Sequence, residues 1–230
     1  MERIRALLTR DEPVRWVFAG DSITHGASHT DGWRDYTELF SERLRWELGR
    51  PRDIVIKTGI SGWTIAALAD DLDANVLSFA PDCVSLMFSM NDCVQGPEGV
   101  AAFRDRYLAV IATIRSRTGA EILLHTTNGI LPEAGAPRMN NLRRYRQAII
   151  EISETVSAPL VDHFAVWNSP ENAPAMHHWM PDGFHPNQYG HRLLARTLFQ
   201  DLEMWDPESL TCRLPIVGMD PAEAADQAQP

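Results

Sequence analysis

The sequence predicts an α/β protein, a three-layer α/β/α sandwich around about five parallel strands. Three observations carry that prediction. Short runs rich in Val, Ile, Leu and Phe alternate with longer segments of helical period. The short runs are almost continuously apolar, as expected of a parallel sheet covered on both faces. At 230 residues, 44% hydrophobic and 23% charged, the chain is long enough for one substantial core.

The elements follow in order. "VRWVFAG" (14–20) reads as the first strand and "DIVIKTG" (53–59) as the second. "DCVSLMFS" (82–89) is the third, "AEILLHTT" (120–127) the fourth and "APLVD" (158–162) a short fifth. Each is bounded by Gly, Pro, Asn or Asp. In 33–48, Trp33, Tyr36, Phe40, Leu44 and Leu48 form one apolar stripe, which predicts an amphipathic helix. Residues 64–78, 99–117, 139–156 and 187–204 show similar periods, and Pro97 and Gly119 bracket the helix over 99–117. Two connections, 127–138 and 163–187, are longer than compact packing requires, and such loops often carry function.

Charge and cysteine usage exclude several functions. The net charge is −10, and from Asp201 onward seven acids face one base. No basic run offers a footprint for nucleic acid or an anionic membrane. The N-terminus carries charges throughout, without the apolar core of a signal peptide, and no apolar run approaches membrane-spanning length. Cys83, Cys93 and Cys212 are odd in number, widely spaced and without metal-ligand spacing, which argues against a disulfide framework. The expectation is a soluble cytoplasmic protein that binds neither nucleic acid nor membrane; its oligomeric state is open. Residues 1–210 are expected to form a single domain and 211–230 an acidic tail, disordered at its end.

In an open parallel sheet, ligands bind beyond the carboxyl ends of the strands. Asp21-Ser22 follows the first strand, "ISGWT" with Gly62 the second, and "MND" with Asn91 the third. "DGFHPN", with Asp182 and His185, lies in the long loop after the fifth. These segments bring a hydroxyl, a glycine amide, a carboxamide and an Asp/His pair to one edge, which are the parts of an acyl-transfer site. A serine hydroxyl needs an adjacent base, and an imidazole titrating near neutrality suits that task. Asp182, three residues before His185, can fold back onto the ring, and Gly20 permits a tight turn that presents Ser22. The N–H groups of Ser22 and Gly62 and the Asn91 amide can serve a developing oxyanion.

Bland readings compete at each position. Ser22 and Asn91 can be helix caps, and Asp182-Gly183 is a turn signal in its own right. Asp21 reads as structural, accepting from nearby amides. Ser61 is a rival serine, but its context lacks the G-x-S-x-G spacing. Asp162-His163 is a rival pair whose side chains point to opposite faces of an extended chain. His177-His178 invites a metal reading but lacks an evident third ligand, so no metal or other cofactor is expected. Trp167, Met176, Trp179 and Met180 are either core plugs under the long loop or the wall of a substrate pocket beside His185. His25, His29, His125 and His191 receive no role.

"GDSIT", "ISGWT", "MND" and "DGFHP", in that order between residues 20 and 186, resemble the four sequence blocks of the SGNH, or GDSL-type, hydrolases. The resemblance implies a flavodoxin-like sandwich and metal-free ester hydrolysis. It implies Ser22 as nucleophile, Gly62 and Asn91 as oxyanion residues and Asp182 with His185 as the dyad. The third block usually reads G-x-N-D, and here Ser89 stands in the glycine's place, which bears on the backbone path before Asn91. The resulting expectation is a serine esterase acting through an acyl-enzyme on a small-molecule ester with an acetyl or other short acyl group. The family's range covers acetylated sugars, aryl esters, lysophospholipids and thioesters. The alternatives are a non-catalytic flavodoxin-like module that binds an anion or small molecule, and a metal-dependent hydrolase built on His177 and His178.

Overall fold

The computed structural model describes residues 1–219. Its elements run α1 (Glu2–Leu8), β1 (Arg15–Gly20), α2 (Ser22–His25), α3 (Tyr36–Glu42), β2 (Ile54–Lys57), α4 (Ile65–Asp70), α5 (Leu72–Asn75) and β3 (Cys83–Met87). There follow α6 (Val100–Thr118), β4 (Glu121–His125), α7 (Ala136–Val156), β5 (Leu160–Val161), α8 (His163–Trp167), α9 (Met176–Trp179) and α10 (Gln188–Asp201).

The five strands form one parallel sheet in the order β2-β1-β3-β4-β5. The chain starts at β1, steps out to β2, then crosses back to β3. The order therefore reverses between β1 and β3, the switch point beyond which an open parallel sheet binds its ligands. Gly20, at the end of β1, is in register with Met87 at the end of β3. α3 and α10 pack together, and α4, α6 and α7 pack in succession, giving a helical layer on each face of the sheet. β1 and β3 are almost wholly buried, which is why their sequences are apolar on both alternating faces. Phe18 of β1 meets Tyr36 and Phe40 of α3 at ring-centroid distances of 5.9 and 5.1 Å. Burying each such side chain contributes about 1.5–3 kcal/mol.

Each predicted strand exists, shortened at its ends; β5 keeps only two paired residues. The helix over 33–48 is corrected at its start. Asp35 Oδ1 accepts from the N–H groups of Thr37 and Glu38, while Glu38 Oε2 accepts from Asp35 N–H. This capping box begins the helix at Tyr36. Trp33 and Leu48 therefore fall outside α3 and its π-helical extension over Arg43–Glu47, and both are exposed. The segment 64–78 is also broken, into α4, α5 and a 3-10 turn at Leu77–Phe79. α7 starts three residues before its predicted position, with Pro137 in its first turn, where the missing N–H costs nothing.

Residues 211–219 do not separate from the body. Cys212 is buried, Leu214, Ile216 and Met219 pack on the core, and Val217 O accepts from Trp179 Nε1 at 2.7 Å. The expected disorder concerns residues outside those described. Cys83, Cys93 and Cys212 are free and buried. No described helix is long and apolar enough to cross a membrane.

Candidate active site

Ser22 opens α2 directly beyond β1. Gly20 is needed there for close approach: an added Cβ would lie 2.1 Å from Thr24 Oγ1 and 2.9 Å from Met87 O. Asp21 caps the turn by accepting from Ile23 N–H at 2.9 Å. It is completely buried, and its Oδ2 has no hydrogen-bond partner among the described residues. Burial pushes its carboxyl up to about 7, opposed by the Ile23 N–H and assisted by the nearby Asp92.

Ser22 Oγ lies 3.0 Å from His185 Nε2, and His185 Nδ1 lies 2.7 Å from Asp182 Oδ2. The other Asp182 oxygen accepts from the N–H groups of Phe184 and His185 at 2.9 and 2.8 Å. One carboxylate thus holds its own turn and the ring. Burial favours the neutral acid, but these hydrogen bonds outweigh it and keep Asp182 below the usual carboxylate range. For His185, burial prevails over the attraction of Asp182 and lowers its pKa, with His29 and Arg138 acting in the same direction. A depressed imidazole is neutral at pH 7 and free to accept a proton.

The sheet order places the other predicted groups around Ser22. β2 and β3 flank β1, so the loops carrying Gly62 and Asn91 rise on either side of the serine. Ile60 N–H donates to Gly20 O at 3.1 Å, and Trp63 N–H donates to Ile60 O at 3.1 Å. Together they tie the Gly62 turn to the end of β1. Gly62 has φ +84°, a conformation that favours glycine. Asn91 Nδ2 donates to Trp63 O at 2.9 Å, which leaves its second hydrogen for another acceptor.

Ser89 follows the path a glycine would take, at φ +152°. Its side chain is buried, with Oγ 3.3 Å from Thr127 Oγ1 beyond β4. Holding a serine in this conformation costs about 1–3 kcal/mol in backbone strain.

The dyad loop is braced from the β4–α7 connection. Leu131 N–H donates to Gly183 O at 2.8 Å, and Asn128 Nδ2 donates to Phe184 O at 3.0 Å. Gly183 is pressed onto that connection so closely that a Cβ would lie 2.0 Å from Ala134 N. Asn128, Arg138 and His29 all touch this machinery, and sequence reasoning missed them. The length of the 127–138 loop was a signal for the first two; nothing in sequence pointed to His29.

The rival residues are engaged elsewhere. Ser61 Oγ contacts His25 Nδ1 at 3.0 Å, but among the described residues no carboxylate contacts His25. Asp162 pairs with Arg146 and caps α8, while His163 is buried against His125 at 3.1 Å. His177 and His178 are exposed neighbours on α9 and join no cluster of three possible ligands among the described residues. His29, Asp182 and His185 do form such a cluster. The two imidazole planes lie 12° from parallel, so their in-plane lone pairs run side by side instead of converging on an ion.

The pocket expectation for Trp167, Met176, Trp179 and Met180 is corrected. All four are buried, and Trp167 and Trp179 pack edge to face at 5.3 Å. They turn inward and join the main hydrophobic core of the molecule.

Comparison with known proteins agrees with this architecture. The family model for GDSL-like lipases/acylhydrolases matches residues 18–193. An acetylxylan esterase from Geobacillus stearothermophilus is 26% identical over 204 residues, covering 81% of this chain and 92% of that protein. The crystal structure of Axe2, an acetylxylan esterase from the same organism, aligns with TM-score 0.66 at 20% identity, over 82% of this chain and 94% of Axe2. Catalytic mutants of Axe2 with a serine, an aspartate or a histidine replaced by alanine are also similar. LAE5, an α/β hydrolase enzyme from the Lake Arreo metagenome, aligns with TM-score 0.64 at 22% identity, over 84% of this chain and 96% of LAE5. The anion-binding alternative is thereby set aside: the chain belongs to the GDSL-like lipase/acylhydrolase family and is a carboxylic ester hydrolase.

Proposed function

We propose that this hydrolase removes acetyl or other short acyl groups from hydroxylated substrates, acetylated sugars foremost, through a Ser22–His185–Asp182 triad. The reading is carried by the unbroken relay of 3.0 Å from Ser22 Oγ to His185 Nε2 and 2.7 Å from His185 Nδ1 to Asp182 Oδ2. Ser22 Oγ attacks the ester carbonyl as its proton passes to His185 Nε2. Asp182 holds the Nδ1 tautomer and stabilises the imidazolium. The oxyanion is received by the Ser22 N–H, the Gly62 N–H and the free hydrogen of the Asn91 amide. Collapse returns the proton to the departing alcohol and leaves an acyl-Ser22 ester. Water then attacks that ester as His185 takes its proton, and collapse of the second intermediate passes that proton to Ser22 Oγ, releasing the acid and the free serine. Support for an acetyl-sugar substrate comes from the acetylxylan esterase relative, which spans most of the chain.

A fluorophosphonate probe followed by peptide mapping tests the nucleophile. The adduct is expected on Ser22 and absent in Ser22→Ala; a folded wild type that stays unlabelled defeats the triad. kcat/KM is expected to rise with pH through an apparent pKa below the ordinary histidine value, because His185 must be neutral to accept the proton. A profile flat from about pH 4 to about pH 8 removes His185 as base. Acetylated xylo-oligosaccharides compared with p-nitrophenyl esters of increasing chain length test the substrate. Faster turnover of long acyl chains than of acetyl contradicts it.

A further inference from the structure

The imidazole of His185 is covered on both faces. His29 lies flat against it, with ring centroids 3.7 Å apart and planes 12° from parallel. The Phe184 ring lies 4.1 Å away at a 38° tilt. A ring at that distance must sit over a face, and one face is already taken, so Phe184 covers the other. The Arg138 guanidinium lies over the Phe184 ring, 4.1 Å from its centroid. The same guanidinium donates through Nε to Met90 O at 3.2 Å and through Nη2 to Asn91 Oδ1 at 3.4 Å. His29, His185, Phe184 and Arg138 therefore form one continuous stack. It runs from the loop after α2, through the general base, to the first turn of α7 and the oxyanion carboxamide.

We propose that His29 and Arg138 are positioning residues of this esterase: their stack clamps the His185 ring between Ser22 and Asp182 and couples it to the orientation of Asn91. The inference rests on the triad reading. Imidazole rotation about its side-chain bonds is the freedom a Ser-His relay must lose. A ring held only at Asp182 Oδ2 can still pivot about that contact, whereas two flat neighbours block rotation out of plane. At the far end, an arginine donor on Asn91 Oδ1 fixes the amide so that its NH2, not its oxygen, faces the substrate. The base and an oxyanion donor are then set by one assembly, so a displacement of either is transmitted to the other.

The stack also carries charge. The titratable or charged groups facing His185 are Asp182 on its own loop, His29 from the loop after α2 and Arg138 from α7. Asp182 favours the imidazolium, whereas Arg138 and a charged His29 disfavour it. Removing either of the latter is expected to move the rising limb of kcat/KM to higher pH.

The test uses His29→Ala, His29→Phe and Arg138→Met with p-nitrophenyl acetate, scoring variants that keep the wild-type thermal unfolding midpoint. His29→Ala is expected to lower kcat about 10-fold with KM within about 2-fold, because misorientation harms the reacting geometry more than binding. His29→Phe restores a flat ring and should recover most of that loss while the limb stays shifted upward. Arg138→Met should lower kcat and shift the limb in the same direction. The His29 side chain is 33% exposed, so its variants keep the proposal testable even if Arg138→Met does not fold. Unchanged kcat and an unmoved limb in folded His29 variants overturn the clamp. So does a loss in His29→Ala that Phe does not rescue. Ser22→Ala run in parallel separates the two readings. Activity surviving in it removes the triad, whereas activity lost in it beside unaffected His29 variants removes only the clamp.

Discussion

Asp21 offers the sharpest test of the electrostatics around Ser22. Its carboxyl is fully buried, accepts one backbone N–H and leaves Oδ2 unpaired among the described residues, so burial pushes it up to about 7. In the unfolded chain an aspartate titrates near about 3.9. The folded state thus holds its proton longer than the unfolded state. The resulting stabilisation is complete below the unfolded value and is lost as pH rises through the folded one. At about 1.4 kcal/mol per unit of pKa difference, the Asp21 contribution falls by about 3 kcal/mol between pH 5 and pH 8. Asp21→Asn keeps an oxygen to cap Ile23 N–H, and Asn caps as well as Asp, but it has no proton to lose. The stability of the variant relative to wild type is therefore expected to improve by about 3 kcal/mol from pH 5 to pH 8. Urea unfolding of both proteins at both pH values measures this, since titrating groups distant from Asp21 cancel in the comparison. A difference that is the same at the two pH values, or that moves in the opposite direction, refutes the argument.

Two further outcomes follow from the site geometry. Asn91→Ala should lower kcat about 10²–10³-fold with little change in KM, as expected for loss of one oxyanion donor; steady-state kinetics on p-nitrophenyl acetate checks this. Gly20→Ala places a methyl 2.1 Å from Thr24 Oγ1 and 2.9 Å from a backbone carbonyl. It should cost about 1–3 kcal/mol or more in urea unfolding and displace Ser22, lowering kcat as well.

Much of the fold was legible because its signals are local. Val, Ile and Leu runs broken by Gly and Asp mark β1 to β4 without reference to anything distant. The helix over 99–117 was recognisable from its period and its bracketing Pro97 and Gly119, and it appears as Val100–Thr118. Errors fell where a single side chain overrode the period. The Asp35 capping box excluded Trp33 from α3, and Pro137 admitted three extra residues to α7. Inward-facing Trp167 and Trp179 could equally have lined a pocket, because apolar residues in a long loop carry no sign of which way they turn.

The sequence by itself determined the chemistry available at the carboxyl edge of the sheet. Ser22, Gly62, Asn91 and the Asp182-x-x-His185 pair each follow a strand, and a parallel sheet sends every such segment to the same edge. Tertiary structure alone decided which groups surround His185. His29 over one face, Phe184 over the other, Arg138 beyond it and Asn128 behind the loop come from separate connections. Their meeting depends on loop paths set by long-range packing and on close approaches such as Gly183 against Ala134. A period of 2 or 3.6 residues is written along the chain, but the direction in which a loop folds back is settled by distant partners. Contacts of that kind leave no periodic trace in the sequence.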